Sequence, residues 1–144
     1  PVKAYLANAL DQVQLIREQA ALETPHFAIF EDDLIPAASL GETNRRIGHT
    51  LQHLPASADM LYLEMCLEDC SRMRYPKREP WFAEADGPRP PTPGLGLAHS
   101  PFCSGAIVFT LKGARTLSQL CLPVFNSLDA MYAALVSNGF LEAY

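Results

Sequence analysis

The chain has 144 residues, 49% of them hydrophobic and 19% charged, with a mean hydropathy of +0.02, which is the composition of an ordinary folded domain. A formal net charge of −5 and a pI of about 5.3 argue against nucleic acid or an anionic membrane as the main partner, because both select basic surfaces. No apolar stretch approaches the roughly 20 residues that span a bilayer, and the opening PVKAYLANALDQ lacks the charged-then-apolar pattern of a signal peptide.

Position 1 is Pro rather than Met, so the sequence is expected to be a piece of a longer chain, incomplete at both ends. From Tyr5 to Ala21, the residues Leu6, Ala9, Leu10, Val13, Ile16 and Ala20 recur at three- and four-residue spacing. This predicts an amphipathic helix with Asp11, Gln14, Arg17 and Glu18 on its wet side. Thr24-Pro25 ends it, since proline disfavours helical geometry in the residue before it. Phe27 to Phe30 is a short continuous apolar run, the pattern of a strand covered on both faces. Ser39, with Glu42 three residues on, forms a capping box for a helix from Leu40 to about Leu54. The run from Asp59 to Met65, DMLYLEM, reads as a second buried strand. This alternation predicts an α/β fold with a largely parallel sheet.

The segment from Ser71 to Pro101 breaks the rhythm: it is rich in Pro and Gly, mixes charges, and holds the only tryptophan, Trp81. Loops of such length are more often functional or disordered than idle. Ser104 to Thr110 restores order as a third strand. A helix starting near Lys112 carries Ala114, Leu117, Leu120 and Cys121 at helical spacing and ends at Pro123. Leu128 to Val136 forms a fourth helix, and Gly139-Phe140 opens a last strand.

The chemistry concentrates at His26–Pro36, HFAIFEDDLIP, where an apolar run drives into Glu31, Asp32 and Asp33. In parallel α/β sheets, ligands bind outside the carboxyl ends of the strands, and these acids occupy that position. Burying unpaired carboxylates is costly, and a divalent cation neutralises them. Hard oxygen donors suit Mg²⁺ or Mn²⁺, which keep positions open for substrate phosphates. A solvated turn whose acids cap the next segment is the competing reading of the same triplet.

The helix, the linker, the aliphatic strand closing in EDD, then DMLYL (Asp59–Leu63), then Cys103-Ser104-Gly105-Ala106-Ile107-Val108-Phe109-Thr110-Leu111-Lys112-Gly113-Ala114-Arg115, and then Leu122-Pro123 followed by Leu128-Asp129 occur in that order. In this order the chain resembles glycosyltransferase family 25, which includes lipooligosaccharide and collagen galactosyltransferases of the GT-A fold. The similarity runs through most of the 144 residues. EDD alone is weak; the ordered series is more specific.

The resemblance implies a GT-A-like, mostly parallel sheet flanked by helices, and a metal-dependent transfer of a sugar such as galactose from a UDP-linked donor to an acceptor hydroxyl, with inversion. The acceptor is a glycan or a protein. On this reading Asp33 binds Mn²⁺ or Mg²⁺, Glu31 positions the metal or the donor ribose, and Asp32 lies beside the donor. Asp129 is the base that takes the acceptor proton, although an acid in the first turn of a helix also simply suits the helix dipole, with Ser127 as its N-cap. Ser104-Gly105 lets backbone approach the sugar or phosphate, where a bulge is the plainer account of a lone glycine. Arg72, Arg74, Lys77, Arg78, Trp81 and Phe82 offer a basic and aromatic stretch to close over a diphosphate. The family begins with a nucleotide-binding strand and continues beyond the equivalent of Tyr144, which again points to a fragment.

Cys66 and Cys70 have C-x₃-C spacing, but no matching Cys/His pair follows to complete a zinc set. Cys66 and Cys121 read as small buried hydrophobes, and a disulfide among Cys66, Cys70 and Cys103 stays open, as does the compartment. His49 and His53 lie four apart on one helix, a weak metal signal. Two rivals remain: another carboxylate-metal phosphate enzyme, and a non-catalytic binding domain.

Overall fold

The structure is a computed structural model that describes residues 2–64 and 95–144. Its elements run α1 (Val2–Ala21), β1 (His26–Phe30), α2 (Leu40–His53), β2 (Met60–Tyr62), β3 (Ala106–Thr110), α3 (Leu111–Leu120) and α4 (Leu128–Ser137). The fold is therefore a mix of helices with a small sheet, in the broad α/β class. Cys66, Cys70, the basic and aromatic stretch around Trp81 and most of the 71–101 loop lie outside the described residues.

Capping chemistry sets the helix starts. The Ser39 hydroxyl accepts from the Glu42 N–H at 3.3 Å. The reciprocal half of the expected capping box is replaced, because the Glu42 carboxylate turns to Arg45 and Arg46. Those guanidiniums hold its carboxyl down at about 2. Thr110 caps α3: its Oγ1 accepts from the Gly113 N–H at 3.0 Å and donates to the Ala58 carbonyl at 2.9 Å. Ser127 stands at the N-cap of α4 in extended geometry but makes no side-chain capping bond.

The sheet order is β1-β3-β2, and both ladders are antiparallel. The expected largely parallel sheet thus gives way to a central β3 that runs against both neighbours. Apolar runs mark strands but carry no direction, which is why the sequence is silent on this point. β1 and β2, each opposed to β3, point the same way without touching. In place of the expected last strand, the chain turns at Gly139, where φ is +75°, and Ala143 makes a single parallel bridge to Met60. Tyr62 N–H to Tyr144 O at 2.7 Å and Tyr144 N–H to Met60 O at 3.1 Å tie this tail to β2.

One sheet face packs Met60, Tyr62, Ile107 and Phe109 against Ile16 of α1, Leu117 of α3 and Tyr132 of α4, all buried. The opposite face gathers Leu61, Val108 and Tyr144 with Leu51 and Leu54 from around the end of α2. β1 departs from its expected cover on both faces. Phe27 stacks on Phe109 with ring centroids 5.2 Å apart, yet His26, Ala28 and Phe30 are exposed. Among the described residues β1 pairs only with β3. Cys121 is a free thiol in the core, as its apolar spacing suggests, and burial pushes it up to about 11.

Candidate functional site

The strand directions bring the site together. Because β1 and β2 run against β3, their carboxyl ends both arrive where β3 begins. Glu31 N–H donates to the Gly105 carbonyl at 2.8 Å on one side, and Leu63 N–H donates to the Ala106 carbonyl at 2.9 Å on the other. Beyond Glu31 the chain makes a turn, closed at 3.5 Å by the Leu34 N–H on the Glu31 carbonyl, which leaves Asp32 and Asp33 at its exposed tip.

A cavity of about 390 Å³ opens at this junction. Glu31 and Asp33 come to it from β1, Glu64 from the end of β2, Ser104 and Gly105 from the approach to β3, and Asp129 from the first turn of α4. Leu34, Ile35 and Cys103 complete the wall. Ile35 is 90% exposed, so the acids sit on an open rim rather than between two buried segments as the sequence suggests. Cys103 is disulfide-bonded and holds a left-handed backbone, φ +74°, just ahead of Ser104.

Ser104 is buried and its hydroxyl donates to Glu31 Oε1 at 3.2 Å, which fixes the direction of that carboxylate. Asp129 Oδ1 is a buried oxygen with no hydrogen-bond partner. Asp32 is exposed and does not line the cavity, so of the three acids only Glu31 and Asp33 face the site. Glu64 was not singled out from the sequence. The usable signal was its position: it follows the apolar DMLYL run directly, as Glu31 follows HFAIF.

Among the described residues, no three His, Cys, Asp or Glu side chains converge as a cage for a metal ion. The donor chemistry nevertheless suits a hard divalent cation of the Mg²⁺ type, which binds through one or two carboxylates and takes its remaining oxygens from water and substrate phosphate. Asp33 and Glu31, with the orphaned Asp129 oxygen nearby on the wall, fit that shared mode and not an all-protein cage. His49 and His53 stack with centroids 4.6 Å apart, and His53 Nδ1 lies 2.8 Å from the His49 carbonyl, so the pair is held within its own helix. No helix among the described residues is long and apolar enough to cross a membrane. Comparison with protein-family models, with curated proteins and with solved structures finds no match to this chain.

Proposed function

We propose that this cavity binds the diphosphate of a nucleotide-sugar together with Mn²⁺ or Mg²⁺ and transfers the sugar, galactose being the family expectation, to an acceptor hydroxyl. The observation that carries the proposal is the meeting of Glu31, Asp33, Ser104, Gly105 and Asp129, drawn from three separate parts of the chain, around one cavity. These are the residues that the resemblance to glycosyltransferase family 25 singles out. The shared direction of β1, β2 and the C-terminal tail supports the GT-A-like reading of the fold.

The electrostatics follow from the wall. Carboxylates of Glu31, Asp33, Glu64 and Asp129 repel an anionic donor, so the diphosphate enters only with a cation. Asp33, at the exposed tip of the turn, is free to reach the ion, and Ser104 holds Glu31 ready beside it. The bound ion supplies Lewis-acid stabilisation of the leaving diphosphate. Because that charge develops in the transition state, the interaction raises the rate and does more than tighten binding. The acceptor hydroxyl gives its proton to a carboxylate of the cavity, and Asp129 is the one the sequence nominates.

Titration of UDP with and without Mn²⁺ tests the reading, using a chain extended at both ends. UDP binding is expected to require Mn²⁺ and to weaken at least tenfold in Asp33→Ala. A wild-type protein that binds neither Mn²⁺ nor UDP ends the proposal.

A further inference from the structure

We infer that Glu64, at the carboxyl end of β2, and not Asp129, is the carboxylate that takes the proton from the acceptor hydroxyl. The inference rests on the transferase reading above and names a residue that neither the EDD motif nor the rest of the resemblance includes.

Three observations carry it. The first is the fit between Glu64 and Gly105. A Cβ built on Gly105 lands on Glu64 Oε2 and comes within 3.0 Å of Leu34 Cδ2, so the bare Cα of Gly105 is the seat of the Glu64 carboxylate. The second is freedom. Glu64 is exposed to the cavity and has no ion pair or hydrogen bond among the described residues, whereas Glu31 is engaged by Ser104. A proton acceptor must keep an oxygen accessible to its substrate. The third is the placement of Asp129. It stands in the first turn of α4, where a carboxylate already serves the helix dipole, and its Oδ1 is a buried oxygen, whereas Glu64 is exposed.

The step is a single displacement. The acceptor oxygen bonds to the anomeric carbon of the sugar as the bond from that carbon to the diphosphate oxygen breaks. The bonding electron pair leaves with UDP, and the hydroxyl proton passes to a Glu64 carboxylate oxygen. With water as acceptor the same step is hydrolysis of the donor, which needs no knowledge of the natural acceptor.

The experiment measures UDP release from UDP-galactose with Mn²⁺, alongside Mn²⁺-dependent UDP binding, for wild type, Glu64→Gln, Asp129→Asn, Gly105→Ala and the Glu64→Gln/Gly105→Ala double variant. Glu64→Gln is expected to lower release about a hundredfold or more while UDP affinity stays within about threefold of wild type. Asp129→Asn is expected to have the smaller effect on release. The Gly105 methyl displaces only the ends of two flexible side chains, so the melting temperature of Gly105→Ala is expected to hold while its release rate falls. In the double variant the Gly105 substitution should cost nothing further. Wild-type release by Glu64→Gln, or a greater loss in Asp129→Asn, overturns the assignment while leaving the site reading intact. Absence of Mn²⁺-dependent UDP binding in wild type removes both.

Discussion

At the scale of single residues, the polar groups outside the cavity serve the fold. Asp59 is buried; its Oδ2 accepts from the Glu142 N–H at 2.9 Å and its Oδ1 pairs with Lys112 at 2.7 Å. Glu142 Oε1 in turn accepts from Ser57 Oγ and Tyr144 OH, each at 2.7 Å. The Ser57 bond first, and then the Tyr144 bond, hold the Glu142 carboxyl below its ordinary value of 4.5. A depressed folded value means that this group contributes stability above its unfolded value and loses it as pH falls through the folded one. Melting temperatures between pH 6 and pH 3 are therefore expected to fall more steeply for wild type than for Glu142→Gln. Tyr144 has the opposite sign: burial first, and then Glu142, push its phenol up to about 12. Its contribution is complete below the ordinary value of 10 and is lost as pH rises through about 12. None of this was legible in the sequence, because 83 residues separate Asp59 from Glu142.

At the scale of elements, α3 shows how local signals and tertiary contact combine. The spacing of Ala114 and Leu117 marks the helix in the sequence, and both residues are buried in the core as that spacing suggests, while the Thr110 cap comes from the structure. The reason for glycine at 113 appears only in three dimensions. A Cβ there would strike the Asp59 carbonyl, which is backbone and cannot yield. Gly113→Ala is expected to destabilise by about 2 kcal/mol or more, from overpacking, read as a lower urea midpoint. The opposite outcome at Gly105, where only side-chain ends are displaced, separates a glycine kept for packing from one kept for chemistry. β1 shows the limit of local reading. HFAIF has the composition of an interior strand, yet among the described residues it is an edge, since composition does not reveal how many neighbours a strand acquires.

At the scale of the molecule, stability is concentrated on the face shared by α1, α3 and α4. Ile16 is 0% exposed there and Phe30, on the other face of the edge strand, is 56% exposed. Ile16→Ala is expected to cost about 2–5 kcal/mol and Phe30→Ser less than about 1 kcal/mol, measured by chemical denaturation. If the two prove equal, the asymmetry described here is wrong. The cavity lies at the end of the sheet rather than within this core. Changes at the cavity such as Asp33→Ala should therefore leave the unfolding midpoint near that of wild type while the proposed UDP binding weakens.

The sequence by itself determined the four helices, the three apolar strands and the chemistry available to them, but not the form of the tail after Gly139. Helical spacing, caps and apolar runs are local properties, and the EDD triplet announces an oxygen-rich anionic turn wherever the chain puts it. Only the tertiary structure decided strand direction, and with it the site. An antiparallel β3 between β1 and β2 brings two carboxyl ends and one amino end to the same point. Glu31, Glu64 and Gly105 become neighbours there although 33 and 41 positions separate the successive members of that trio. Side-chain patterns encode which face of a strand is buried, but not which way the strand runs or what stands beside its end.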